Sequence, residues 1–182
     1  MTQFPLTDIE IKDVATKLKK LQPGVLPFDL FYQFNRLKVT ITIEVVPLCL
    51  GPNGEVMVVL FNRGPNDPWW PNLYHTPGSC LIDDDISNED EWGLPTKTFA
   101  RLKATELGDI KLTDQPQFVN NLSHQTVRGP ESVHVYIQEV KYESAKNHLF
   151  PVINLPENMM DHQINMIKKC AQFFKNLKKK NV

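Results

Sequence analysis

Residues 98–108 read TFARLKATELG, and the turn-forming triplet Pro77-Gly78-Ser79 precedes them. The segment 96–107 follows Pro95 and predicts a helix, with Thr96 as its N-cap and Gly108 as the residue that ends it. On that helix Phe99, Leu102 and Glu106 fall three and four positions apart, so one face carries two apolar side chains and then a carboxylate. A carboxylate that continues an apolar stripe toward the core needs a cation or hydrogen-bond donors. The alternatives are an ion pair from Glu106 to Arg101 or Lys103, or plain exposure at the helix end.

Upstream, residues 37–50 have the β-branched content of a central strand, Gly51-Pro52-Asn53-Gly54 supplies a turn, and 55–61 returns as an apolar strand. Residues 62–71 hold three prolines and a glycine and predict a loop, followed by a short strand at 73–76. The span 83–93 is acidic and insertion-like. Downstream, strands are predicted at 117–122 and 132–142, the second with Val133, Val135 and Ile137 alternating against His134, Tyr136 and Gln138. A last helix is predicted to open at Leu155-Pro156-Glu157, with Met160, Ile164, Ile167, Ala171 and Phe174 on one side. Its lysines 178–180 place positive charge where the helix dipole favours it. At the other end, residues 7–21 predict an accessory helix capped by Thr7 or Asp8 and stopped by Pro23-Gly24, and the Phe- and Leu-rich segment 25–36 predicts an extended arm. The order implies an α/β domain with a mixed β-sheet sandwiched between α-helices. Residues 1–36 would be a helix and arm packed on the core, and residues 37–182 the main domain with its C-terminal helix.

The 182 residues are 41% hydrophobic, enough for one domain with a substantial core. A formal charge of −1 gives no overall field for nucleic acid or an anionic membrane, so neither is expected as a partner. Cys49, Cys80 and Cys170 are odd in number and lack CxxC spacing, which argues against a zinc ribbon or a disulfide framework. The absence of a signal-like or membrane-spanning apolar run leads to the expectation of a cytoplasmic protein.

The turn at Pro77-Gly78-Ser79 and the helix ending in Arg101, Glu106 and Gly108 together resemble a degenerate Nudix box. Leu102 and Thr105 stand where the box has glutamates, Ser79 stands for its second glycine, and the acidic insertion separates the two ends. The stretch 98–108 is more similar to the GDP-mannose mannosyl hydrolase branch, which shares Phe-x-Arg-Leu and a small residue before Glu-Leu-Gly. That resemblance implies the Nudix fold and one divalent cation, Mg²⁺ or Mn²⁺, a hard ion that prefers oxygen ligands. The implied metal ligands are the Gly78 carbonyl, Glu106 and Asn147, the last standing where the branch has Gln. His148 would be the general base, and Arg63 would contact a diphosphate. The implied activity is hydrolysis of a nucleoside diphosphate derivative, a nucleotide sugar, by water attacking the sugar carbon. Trp69 and Trp70 would stack on a base or pack their own loop, and Tyr74 and His75 stand at the strand end before the box. Asp85 sits at the place of the box's first glutamate counted from Ser79, either replacing a lost ligand or carrying solvated loop charge. His124 and His134 have no visible partner and are read as structural. A Nudix-fold binding or regulatory protein without catalysis is the competing expectation. A prenyl-diphosphate isomerase lacks the sequence context of its Cys and Glu. A homodimer paired through residues 1–36 is compatible with the superfamily's habit of pairing through added elements.

Overall fold

The computed structural model describes residues 6–21, 26–82, 85 and 96–180. The Pro23-Gly24 stop and the acidic insertion other than Asp85 lie outside the described residues.

Strand β1 (Thr40–Leu50) is the hub of the main sheet, and its β-branched run pairs on both edges. On one edge β7 (Gly129–Glu139) runs parallel to it from Thr40↔Glu131 to Leu48↔Glu139. On the other, β2 (Val56–Val59) pairs antiparallel with its end and β5 (Gly78–Cys80) with its start, the latter in register Glu44↔Gly78. β6 (Gln117–Thr126) flanks β7 and β8 (Leu149–Pro151) flanks β2, giving a mixed sheet of order β6-β7-β1-β2-β8. A small second sheet joins β3 (Phe61–Asn62) to β4 (Tyr74–His75).

Alternation along the strands builds a core on each face. Val46, Leu48, Val58, Leu60, Val133, Val135 and Ile137 pack under Met166, Ile167, Cys170, Ala171 and Phe174 of α5 (Asp161–Lys180). On the opposite face Ile43 and Val45 meet Leu102 of α3 (Thr96–Leu102), and Cys49, Met57 and Val59 meet Leu107 and Ile110. The expected sheet between helices is present. All three cysteines are free.

Four local expectations are corrected. The described part of the expected extended arm, residues 26–36, is not extended: α2 (Phe28–Leu37) is a helix, entered through Pro27 with Asp29 in its first turn. The box helix is not α-helical to its end, because residues Lys103–Leu107 form a π-helical turn. Its closing bond runs from the Gly108 N–H to the Lys103 carbonyl at 3.0 Å, and the Lys103 ammonium reaches on to the Gly108 carbonyl at 2.5 Å and to that of Ile110. The last helix opens at Asp161 rather than near Pro156. The preceding segment instead lies along β4, with Tyr74 N–H donating to Asn158 O at 2.8 Å and Met160 N–H to Tyr74 O at 3.1 Å. Consequently Gln163, Met166 and Cys170 join the buried face, while Ile164 packs at its margin. The strand expected to reach Tyr142 ends at Glu139, and Tyr142 opens the short helix α4 (Tyr142–Ala145). At the N-terminal end, α1 (Asp8–Leu18) carries the expected Thr7 cap as a full capping box with Glu10, and it buries none of its residues.

Candidate active site

Four elements and α2 line a cavity of about 910 Å³. Gly78, Ser79 and Cys80 of β5 lie along it, the π-turn contributes Thr105 and Glu106, the β3–β4 hairpin contributes Arg63, Trp69 and His75, and the β6–β7 turn contributes Arg128.

The residues of the 77–108 stretch divide into a scaffold and a site. Arg101 does not pair with Glu106. Its guanidinium donates to the Ser79 hydroxyl, to the Cys80 carbonyl at 3.1 Å and to Asp85. Asp85 is therefore neither solvated nor free to ligate a cation: it is 3% exposed and also accepts from the Ile82 N–H at 3.0 Å. Burial opposes its ionisation, but the bonds from Arg101 and Ile82 outweigh that and hold its carboxyl below the ordinary range. The arrangement ties the start of the insertion, the β5 strand and the box helix into one rigid unit.

Glu106, released from any ion pair among the described residues, turns toward Glu44 of β1. Burial pushes the Glu106 carboxyl up to about 7, against the lowering influence of Arg63, of the Gly78 N–H that donates to it, and of Arg101. Its Oε2 is buried with no hydrogen-bond partner. Glu44 is pushed up to about 8, first by burial and then by repulsion from Glu106, although the Thr76 hydroxyl donates to it at 2.9 Å. The Gln163 amide adds a second donor at 3.1 Å. A side chain at position 78 would intrude here, since a Cβ on Gly78 would lie 2.4 Å from Glu44 Oε1. The glycine of the turn is thus explained by the close approach of a carboxylate.

Opposite the two carboxyls stand two guanidinium groups. Arg63 is anchored to Asp67 at 2.8 Å and keeps a buried Nε without a partner. Asp67 also accepts from the N–H groups of Trp69 and Trp70 at 3.0 and 2.8 Å, which folds the loop around it. Arg128 is held by Glu131 at 2.6 Å, and Glu131 in turn accepts from Thr126 at 2.9 Å and lies 3.8 Å from His124. Both guanidinium groups lie over Trp70, at 5.3 and 4.9 Å from its ring centre, and Arg128 also lies 5.6 Å from that of Trp69.

Of the residues singled out in the sequence, Gly78, Glu106, Arg63 and Trp69 are brought together around the cavity. Trp70 is buried behind them as the packing core of the loop. Tyr74 stacks edge-on against Phe150 in the α5-side core, away from the cavity. His75 lines the cavity, and burial pushes it down to about 4, which keeps its imidazole neutral. Asn147 and His148 are exposed and do not line the cavity. His148 stacks on Phe61, ring centres 4.8 Å apart, and Phe61 does line it. Glu44 and Arg128 were missed. Glu44 sits inside an apolar strand run, where an isolated acidic residue was itself a signal; Arg128 lies in a hairpin turn and gave none.

No protein-family profile and no curated sequence matches the chain. Solved structures do. The NrtR protein of Shewanella oneidensis, crystallised with a 27mer DNA, aligns over 75% of this chain and 62% of its own, with 15% identity and a TM-score of 0.55. The separate NUDIX domain of that NrtR, crystallised with ADP ribose, aligns over 93% of this chain and 99% of its own, with 14% identity and a TM-score of 0.53. An Ap4A hydrolase of C. elegans aligns over 75% and 99%, with 12% identity and a TM-score of 0.51. The chain has the Nudix fold. It spans less than two thirds of the full NrtR chain, and at these identities the likeness concerns architecture. Within that Nudix architecture the cavity lies between the π-turn that follows α3, the β3–β4 hairpin and α2. Among the described residues no group of three or more His, Cys, Asp or Glu side chains could hold a metal ion, and no helix is long and apolar enough to cross a membrane.

Proposed function

We propose that the protein binds a nucleoside diphosphate derivative in this cavity, and that it hydrolyses a nucleotide sugar there with the help of one divalent cation. The observation that carries the reading is the meeting of Arg63, Arg128 and Glu106 around one cavity, with half-buried Glu44 close enough to Glu106 to feel its charge. Guanidinium groups suit phosphate oxygens, which accept two parallel donors. The carboxyls suit a cation: Glu106 Oε2 has no partner, and burial with mutual repulsion leaves the pair short of positive charge. Glu106, Glu44 and the Gly78 carbonyl would hold Mg²⁺ or Mn²⁺, with Asn147 as the further oxygen ligand. The ion, when bound, would neutralise charge on the diphosphate leaving group. Arg63 would grip that diphosphate, Trp69 would offer a stacking face for the base, and His148 would take the proton from the attacking water. The NUDIX domain crystallised with ADP ribose and the Ap4A hydrolase lend support, because both names point to nucleotides carrying linked phosphates. The expectation that the protein binds no nucleic acid has no support beside a similar chain crystallised on DNA.

Binding without turnover is the second reading, favoured by the exposed position of Asn147 and His148 outside the cavity lining. The test is a thermal-shift and product-release assay with GDP-mannose and ADP ribose, with and without Mg²⁺. Hydrolysis requiring Mg²⁺, abolished in Glu106→Gln and lowered about a hundredfold in His148→Ala, supports the enzyme. Stabilisation of the protein without product supports the binder. Mg²⁺-dependent turnover that survives Glu106→Gln would overturn the assignment of the ligand.

A further inference from the structure

We propose that α2 forms the nucleobase subsite of this cavity and that Asn35 selects uracil and guanine, with a carbonyl at C4 or C6, over cytosine and adenine, which carry an amino group at that position. The inference rests on the reading of the ligand as a nucleoside diphosphate derivative.

The side chains follow an order across the cavity. At the outer end Phe28 and Phe31 of α2 gather around Trp69, with ring centres 4.9 and 6.0 Å from it. Arg128 lies next, over Trp69 and Trp70, and Arg63 lies over Trp70. Arg63 and Arg128 share the cavity lining with Gly78 and Glu106. Aromatic, cationic and acidic groups thus line one cavity, as the base, the phosphates and a bound cation would require. Phe28 is 50% exposed although it is large and apolar, so its ring offers open surface at the aromatic end. Stacking of this kind accepts any base, because every base has a π-face.

Discrimination must come from a polar group, and α2 supplies one. Asn35 lines the cavity and is 4% exposed. Its Oδ1 accepts from the Thr40 hydroxyl at 2.6 Å, whereas its Nδ2 is buried without a partner. Its backbone lies close against the β6–β7 turn, the Asn35 carbonyl oxygen being 2.4 Å from where a Cβ of Gly129 would be. With its acceptor engaged, the side chain offers donors alone. A carbonyl at the base edge would accept from it, and an amino group would meet it donor to donor, leaving two buried polar groups unpaired.

The test is calorimetric titration of the full chain, in Mg²⁺, with UDP, GDP, CDP and ADP. The wild type is expected to bind UDP and GDP at least about tenfold more tightly than CDP and ADP. Asn35→Ala should erase that gap, and Phe28→Ala, at an exposed position, should weaken all four by about tenfold while keeping it. Equal binding of the four by the wild type, or a gap in favour of CDP and ADP, overturns the subsite and leaves the functional reading standing. Affinities unchanged in Phe28→Ala do the same, independently of how well Asn35→Ala folds. Binding of none of the four overturns the functional reading itself, and the subsite with it.

Discussion

Glu44 and Glu106 resist ionisation near neutrality, and that makes the site's electrostatics measurable before any ligand is known. Both carboxyls titrate above their unfolded value, so the folded state holds protons that the unfolded chain has already lost. Their contribution to stability is complete below the unfolded carboxyl range and is lost as pH rises through about 7 and about 8. His75 and His162 act in the opposite sense: burial pushes both down to about 4, so their contribution is present above the unfolded histidine range and lost as pH falls toward that value. A thermal melt series between pH about 7 and about 8, above the range of the histidines and below that of the raised thiols, therefore reads the carboxyls. The expected result is a midpoint that falls with rising pH, with a shallower fall in Glu106→Gln; a flat profile in the wild type would mean that burial does not hold the two carboxyls protonated. At this scale the sequence was half legible. The stripe Phe99, Leu102, Glu106 pointed a carboxylate at the interior, and it is there. Its counterpart Glu44 showed only as a lone acidic residue in an apolar strand, and its meeting with Glu106 was hidden because the strand pairing Glu44↔Gly78 brings the two together.

Elements show where local patterns suffice and where they do not. Thr7 and Glu10 announce the start of α1 because a capping box is written in adjacent residues. The helix α2 also has a local signal, with Phe28, Phe31 and Asn35 at helical spacing behind Pro27, but its dense aromatic content obscures the period. The π-turn has none. It depends on Leu107 and Ile110 being drawn into the core beneath β1 and β2 while Gly108, at φ 52°, turns the chain. The docking of α2 rests on a glycine as well. Gly129 has φ 136°, and the Asn35 carbonyl fills the space a side chain would need. Gly129→Ala is expected to cost about 1–3 kcal/mol and to loosen α2 from the β6–β7 turn. Urea denaturation reads the first effect, and faster amide exchange in Phe28–Leu37 reads the second.

For the molecule as a whole, the order of elements and the strand alternation were enough to foresee a sheet between helical layers. The lengths of β6 and β7 and the late start of α5 were not foreseen, because they are set by contacts between distant segments. The two layers are unequal in what they carry. The α5 side is a continuous apolar core, in which Phe174 is 2% exposed, and the α3 side is shared with the cavity. Truncating Phe174 to Ala is expected to cost about 3–5 kcal/mol, measured as a lowered urea midpoint, with the denaturant dependence little changed. The parallel ladder of β1 with β7 also bears on how the chain is made. β1 finds β2 within a few residues of chain, whereas β7, which covers its other edge, begins at Gly129, about 80 residues after β1 ends at Leu50. Until β7 has been synthesised, an apolar strand edge stands open to pairing with another chain.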